Sequence, residues 1–130
     1  MVGTNGLSLD SAEIYDPATG KFSSAGKINV ARSFHSATLL SSGLVLVAGG
    51  YSLGFDGDAL PFVETMFSAE LFDPGIFSSA AASSLEGARA QYVMTRLNND
   101  EILVTGGQYE ELCCAFKPLI KPLPSAEVYK

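Results

Sequence analysis

The stretch Ser11-Ala12-Glu13-Ile14-Tyr15-Asp16-Pro17 occurs three times in this chain in related forms. It returns as Ser68-Ala69-Glu70-Leu71-Phe72-Asp73-Pro74 and, without the Asp-Pro pair, as Ser125-Ala126-Glu127-Val128-Tyr129. The copies start at positions 11, 68 and 125, so one constant step, here called the repeat interval, separates them. A fixed interval of this size indicates a repeat architecture, in which similar structural units follow one another along the chain.

Other residues keep the repeat interval outside the motif. They are Arg32 with Arg89, Thr38 with Thr95, Leu46 with Leu103, and Gly49-Gly50 with Gly106-Gly107. The pattern around these positions is strand-like, so the interval predicts a series of small sheets rather than one ordinary domain. Repeat folds of this kind place their function in loops that vary between units.

The composition excludes several classes of protein. Charged residues make up 17% of the 130 residues and hydrophobic residues 47%, whereas a typical soluble domain is roughly 25% charged. The net charge of −6 argues against a nucleic-acid partner, which requires a basic surface. No apolar run approaches the ~18 residues of a membrane span. No signal peptide is visible at the N-terminus, which leaves the compartment undetermined.

One unit of the repeat reads as four short strands. The predicted strands cover residues 33–40, 44–48, 69–72 and 77–79. Turn formers separate the strands: Ser-Ser-Gly follows the first, and Asp-Pro follows the third. The second strand is rich in β-branched residues and ends in a Gly-Gly pair. Short connections favour antiparallel neighbours, so the unit is predicted to be a four-stranded antiparallel meander.

These residues resemble the Kelch repeat. Gly49-Gly50 closes the second strand, Phe72 precedes Asp-Pro in the third, an aromatic residue follows in the fourth, and Arg89 opens the next unit. The fourth-strand aromatic of that family is usually Trp, whereas Phe22 and Phe77 stand there in this chain. The resemblance implies an all-β fold of antiparallel four-stranded blades from a kelch-type β-propeller.

The repeat also predicts how the chain divides. Residues 1–31 supply strands three and four of one blade, residues 32–88 a complete repeat, and residues 89–130 strands one, two and the start of three. These parts amount to about two blades. Because propellers close with four to eight blades, this chain alone is expected to form an incomplete one.

The most individual segments are the two long connections between strands two and three, residues 51–67 and 108–124. In related propellers such loops contact ligands or partner proteins, so exposed aromatic and acidic residues here are candidates for partner contact. The candidates are Tyr51, Phe55, Asp56, Asp58, Phe62, Tyr109 and Phe116. An equally weighted alternative is that Phe55, Phe62 and Phe67 fold back to cover the edge of a blade.

No catalytic, cofactor or metal site is predicted. His35 is the only histidine and is expected on a first strand, where the resemblance implies a place near the channel, although a structural role is favoured. Asp56-Gly57-Asp58 begins like a calcium loop, but Leu60 and Phe67 stand where ligands would be needed. Cys113 and Cys114 are adjacent, a spacing that disfavours a disulfide between them, and their redox state stays open.

Arg32 and Arg89 are predicted to be structural. Each opens a first strand in a chain with only eight Lys plus Arg. We expect each arginine to hydrogen-bond backbone carbonyls or a carboxylate of a neighbouring blade such as Glu13 or Glu70, which recur at the repeat interval. The motif residues Gly49, Gly50, Gly106 and Gly107 belong to the same structural frame.

Two functions follow from the resemblance, and a third possibility is a partial gene product without independent function. The favoured function is a non-enzymatic binding module that recognises a protein or a glycan through residues 51–67 and 108–124. The alternative is part of a secreted, carbohydrate-directed enzyme related to galactose oxidase, whose catalytic residues would lie outside this chain. That chemistry needs two His ligands and a Tyr cross-linked to Cys, and this chain has one His.

Incomplete blades also predict self-association. Unpaired strand edges and uncovered apolar faces promote association between chains. The ordered form would be a head-to-tail ring of three chains that closes a six-bladed propeller. Because residues 125–129 compete with residues 11–15 for the same place, irregular aggregation is favoured over the ring.

Overall fold

The computed structural model describes residues 7–55, 61–113 and 117–130. Throughout these ranges the chain forms β-strands and connecting segments, without a helix. The strands are β1 (Leu9–Asp16), β2 (Lys21–Arg32), β3 (Ser36–Leu39), β4 (Val45–Ala48), β5 (Tyr51–Phe55), β6 (Pro61–Thr65), β7 (Ala69–Asp73), β8 (Ser78–Ala82), β9 (Val93–Arg96), β10 (Ile102–Thr105), β11 (Gln108–Cys113), β12 (Lys117–Pro122) and β13 (Ala126–Tyr129). Within the described ranges no helix is long and apolar enough to cross a membrane.

The middle of the chain forms a four-stranded antiparallel sheet in the order β3-β4-β7-β8. Strand β7 lies beside β4, with Val45 opposite Phe72 and Ala48 opposite Ala69. The prediction that residues 69–72 pair beside the second strand is therefore confirmed. The sheet is a meander in which one hairpin is inserted between β4 and β7.

The sheet of the following unit repeats this geometry in a shorter form. It contains three strands in the order β13-β10-β9, and Ile102 lies opposite Tyr129 as Val45 lies opposite Phe72. Strands β1 and β2 form a separate two-stranded antiparallel ribbon. All these sheets are small, open and antiparallel. The observed fold of the described residues is therefore all-β.

Backbone conformation recurs at the repeat interval and explains two errors in the predicted strand bounds. The first strand begins at Ser36 rather than at residue 33, because Phe34 has a φ of 54° that interrupts the extended chain. Its counterpart Gln91 also has a φ of 54°. The fourth strand likewise begins at Ser78, since Phe77 lies in the preceding turn with a φ of 54°.

The two long connections, which were expected from the sequence to be loops, are β-hairpins. Strand β5 pairs with β6, and β11 pairs with β12, both antiparallel. Gly50, with a φ of 91°, turns the chain out of the four-stranded sheet into the first hairpin. A Cβ on Gly50 would lie 2.5 Å from the carbonyl oxygen of Ser33, so only glycine fits this crossing.

Two apolar clusters join the sheets. The larger lies between the four-stranded and three-stranded sheets and includes Leu46, Ala48, Tyr92, Ile102 and Val104. The smaller lies between the β1–β2 ribbon and the other face of the four-stranded sheet, around Ala25, Val47 and Phe72. The four-stranded sheet is thus packed on both faces.

Candidate functional site

The two hairpins lie side by side, and the hydroxyl group of Thr65 forms one of the links between them. The Oγ1 of Thr65 accepts a hydrogen bond from the Glu110 N–H at 2.9 Å and donates to the Glu110 carbonyl at 3.2 Å. Ser8, which stands one repeat interval before Thr65, accepts from the Leu53 N–H at 3.0 Å in the same way. A short polar side chain therefore ties each unit to the hairpin of the next.

Tyr51 on β5 is buried beside the second hairpin rather than exposed on the surface. Its side chain is 3% exposed, and Nε2 of Gln108 donates to its hydroxyl at 2.9 Å. Burial raises the pKa of this hydroxyl. The expectation that Tyr51 contacts a partner is wrong for this structure, because a side chain enclosed between two hairpins presents no surface.

The other candidate contact residues separate into two groups. Phe62 and Tyr109 are half-buried on β6 and β11, and a Cβ on Gly54 would lie 2.7 Å from the ring of Phe62. Phe62 therefore packs on its own hairpin, whereas the alternative interpretation placed Phe55, Phe62 and Phe67 over the edge of a blade. Phe67 is exposed. Asp56, Asp58 and Phe116 lie outside the described residues, as does the side chain of Phe55.

Several exposed apolar side chains on and beside the hairpins were not predicted from the sequence. Phe34 is 50% exposed, and Leu119 and Ile120 on β12 are 48% and 50% exposed. Together with Phe67 at 54%, we call these four residues the apolar patch set. Leu119 and Ile120 are neighbours on β12, and neighbouring side chains on a strand point to opposite faces. At least one of the two therefore has to face outward from a two-stranded hairpin.

Arg32 is the most enclosed charge in the frame of the repeat. Its Nη1 donates to the carbonyls of Gly49 at 2.9 Å and Ser68 at 3.1 Å. Its Nη2 donates to the hydroxyl of Ser68 at 3.3 Å and to Oε1 of Glu70 at 2.8 Å. The guanidinium fork thus fastens the start of a unit to its Gly-Gly corner and to β7.

Glu70 carries the connection to the preceding unit. Its Oε2 accepts from the Asn29 N–H at 2.6 Å and from the Ser79 hydroxyl at 2.8 Å, and its Oε1 accepts from the Val30 N–H at 3.1 Å. Burial alone would raise the pKa of Glu70, but these bonds and the bond from Arg32 outweigh it and lower the pKa below its ordinary value. The carboxylate therefore fixes β2 against the four-stranded sheet.

Arg89 repeats this arrangement one unit later. Its Nη1 donates to the Gly106 carbonyl at 2.9 Å, and its Nη2 donates to the Ser125 hydroxyl at 3.2 Å. Its Nε lies 3.2 Å from Oε1 of Glu127 as an ion pair, without the alignment of a hydrogen bond. The N–H of Glu86, the counterpart of Asn29 in the next unit, donates to Glu127 at 2.6 Å.

The predicted structural partners of the two arginines are confirmed with one correction. Both arginines bind backbone carbonyls and a glutamate, but that glutamate is Glu70 for Arg32 and Glu127 for Arg89. Glu13 is exposed and makes no ion pair within the described part of the chain. Arginine and glutamate are equally far apart along the chain in both pairs, so the carboxylate comes from the same unit as its arginine rather than from a neighbouring one.

His35 and its counterpart Tyr92 occupy equivalent places with different outcomes. The Tyr92 hydroxyl donates to the Ala48 carbonyl at 2.6 Å, and burial raises the pKa of this hydroxyl. His35 precedes β3 and lines a cleft beside the β1–β2 ribbon. Burial, together with the nearby Arg32, lowers its pKa, and its buried Nδ1 has no partner in the described ranges.

These side chains supply structure and surface more than reactive chemistry. The buried ionic groups are committed to backbone partners, and the apolar patch set faces outward from the hairpins and the β3 entry. Among the described residues, no three His, Cys, Asp or Glu side chains gather in a way that could hold a metal ion. The arrangement is suited to contact with another molecule.

Comparison with known proteins gives a structural likeness. No protein-family model matches the chain, and a search of curated proteins finds no match. The fold is similar to the solved structure of YjhT, with a TM-score of 0.60 and 18% sequence identity. The likeness covers 84% of this chain and 30% of YjhT. At this identity it establishes similarity of fold alone.

Proposed function

We propose that this chain is a segment of a kelch-type β-propeller and serves as a non-enzymatic binding module. Three features support the propeller. The pairing of the second and third strands, the buried Arg–Glu cluster and the positive φ angles all recur at the repeat interval. Antiparallel four-stranded units repeated along a chain are the blades from which propellers are built.

The observation that carries the binding role is the division of labour between frame and hairpins. In the frame, the buried charges of Arg32, Glu70 and Arg89 are used for internal bonds. On the hairpins, Leu119 and Ile120 expose aliphatic side chains to solvent on the two faces of β12. Because such side chains contribute to binding through burial of apolar surface, a protein partner fits this surface better than a glycan does.

Binding to an immobilised peptide-display library and to a glycan array tests the proposal. Each reproducible ligand is then titrated against the double variant Leu119→Ser/Ile120→Ser. Because the two side chains lie on opposite faces of β12, the face that contacts the ligand loses one exposed aliphatic group, and binding is expected to weaken by roughly 10-fold. Thermal unfolding of the variant should be unchanged within experimental error, since both side chains are exposed in the free chain.

Ile76→Ser is the matched control. Ile76 is also an exposed aliphatic residue, but it lies in the turn between β7 and β8, in the frame rather than on the hairpins. Its substitution should leave binding unchanged. Loss of binding in Ile76→Ser with retention in the hairpin variant would contradict the proposed surface, and conversion of a bound sugar into product would contradict the non-enzymatic role.

A further inference from the structure

The four-stranded sheet has two faces, and they are covered to different extents. One face packs against the three-stranded sheet, where Tyr92 and the β10 residues Ile102 and Val104 enter the shared core. The other face packs against the β1–β2 ribbon and leaves an apolar cleft of about 520 Å³. The lining of that cleft includes Val45, Val47 and Phe72 from the sheet.

The residues around the cleft correspond to those of the larger cluster, except that the counterparts of the β4 residues are missing in the described ranges. Ala12, Ala25 and Ile28 in the smaller cluster stand one repeat interval before Ala69, Ala82 and Leu85 in the larger one. In the larger cluster these residues pack with Leu46 and Ala48 of β4. Nothing in the described ranges occupies the corresponding place in the cleft, where a second inner strand would lie.

Two polar groups at the cleft lack the partner that their counterparts have. The carboxylate of Glu13 is exposed, whereas that of Glu70 binds a guanidinium. The Nδ1 of His35 is buried without a partner in the described ranges, whereas the hydroxyl of Tyr92 binds the carbonyl at the end of β4. The missing element must therefore supply an arginine and a strand that ends in a free carbonyl. It must also pair with the edge of β1 that no described strand covers.

We propose that this edge binds the β9–β10 strand pair of a second copy of the chain. In the complex β1 of one copy lies along β10 of the other, in the register that β7 adopts beside β4. Arg89 of the second copy then binds Glu13, and the carbonyl of Thr105, equivalent to Ala48, faces His35. Backbone hydrogen bonds supply affinity, and the apolar strand fills the cleft.

A second copy fits because this chain carries the required strand and a replaceable occupant. Strand β10 is paired on its outer edge with β13, which covers only Ala126–Tyr129. The triplet Ser125-Ala126-Glu127 is identical to Ser11-Ala12-Glu13. When β1 displaces β13 it also brings β2 as a fourth strand, so the exchange completes a sheet. The contact is head-to-tail and heterologous.

Hydrogen exchange at several protein concentrations, read by mass spectrometry under reducing conditions, tests the exchange directly. As concentration rises, amides of β1 should gain protection and amides of β13 should lose it, while sedimentation shows discrete oligomers. A 13.7 kDa species at every concentration up to ~200 µM, where even weak association is populated, would overturn the proposal. So would association without reciprocal changes in β1 and β13.

Glu13→Gln tests the arginine requirement. Because Glu13 is exposed in the free chain, the variant should fold normally but associate at least roughly 10-fold more weakly, as expected when one partner of a desolvated ion pair is neutralised. Glu64→Gln, at another exposed glutamate on β6, should associate like the wild type. Unchanged association of Glu13→Gln would overturn the proposed geometry, and it would leave the hairpin-binding proposal untouched.

Discussion

The two copies of the buried arginine cluster have nearly the same sequence but different surroundings. In the first copy the side chains of Arg32 and Glu70 are 0% and 3% exposed, and Glu70 also receives bonds from β2 and Ser79. In the second copy Arg89 and Glu127 are 3% and 6% exposed, and Glu127 receives one backbone bond. The two clusters differ because more neighbouring residues pack against the first one. Comparing them therefore shows how the surroundings change the contribution of the same Arg–Glu pair to stability.

Substitution of the two arginines should give the largest and most unequal effects. Arg32→Met leaves Glu70 as an unpaired buried charge and is expected to lower the free energy of unfolding by about 3–5 kcal/mol. Arg89→Met should cost less, about 1–3 kcal/mol, because its cluster has fewer bonds to lose. Urea unfolding followed by circular dichroism measures both. Equal losses would show that the surroundings of the two clusters do not matter.

The first glycines of the two Gly-Gly pairs separate backbone strain from crowding. Gly49 and Gly106 have φ angles of 58° and 66°, so an alanine is strained at either position. A Cβ on Gly49 would also lie 2.5 Å from the Arg89 carbonyl oxygen, whereas the nearest described atom to a Cβ on Gly106 would be the Leu123 carbonyl oxygen at 3.9 Å.

Gly49→Ala should therefore cost about 2–4 kcal/mol, the sum of strain and overpacking. Gly106→Ala should cost about 1–2 kcal/mol from strain alone. The shift in unfolding midpoint at constant m-value measures each loss. A larger loss for Gly106→Ala than for Gly49→Ala would contradict the close contact between Gly49 and the next unit.

The acid side of the stability curve tests the bonds to Glu70. Its pKa is lowered in the folded state from an ordinary value of 4.5, so the stability that it contributes is complete above pH 4.5 and is lost as the pH falls through the folded-state pKa. Glu70→Gln should be less stable at pH 7 and should show a flatter decline as the pH falls below 4.5. An unaltered slope in Glu70→Gln would refute this account.

Tyr92→Phe should give the smallest effect. It removes the hydroxyl that donates to the Ala48 carbonyl and is expected to cost about 1 kcal/mol, the net value of one buried hydrogen bond. Tyr15→Phe is the control, because Tyr15 is exposed and contacts Phe22 through its ring. Thermal unfolding should distinguish the two variants, and equal melting temperatures would show that the Tyr92 bond between sheets contributes nothing.

Much of the frame could be predicted because each feature is local or recurs in the sequence. The Gly-Gly corners, the pairing of residues 69–72 with β4 and the structural use of Arg32 all follow from the repeat interval together with turn chemistry. The partner of each arginine was harder to predict, because Glu13, Glu70 and Glu127 look alike in sequence. Only the fold shows that the carboxylate within reach of each arginine comes from the same unit as that arginine.

The hairpins were the main failure, and the reason is physical. Residues 51–67 and 108–124 share little sequence, so no recurrence marks them as strands. Their pairing depends on backbone hydrogen bonds and on the hydroxyl link between Thr65 and Glu110, neither of which requires a particular side-chain pattern along the hairpin. The burial of Tyr51 has the same origin, since Gln108 of the next unit covers it.

The carboxylate of Glu70 accepts hydrogen bonds from two main-chain N–H groups. These bonds do not involve the side chains of the two donor residues. The same is true of Glu127, whose backbone donor is Glu86 where the earlier unit has Asn29. A contact between units that uses only main-chain donors tolerates substitutions at the donor residues. Such a chain can evolve by copying or deleting whole units, because the newly adjoining segments need not be co-selected to fit.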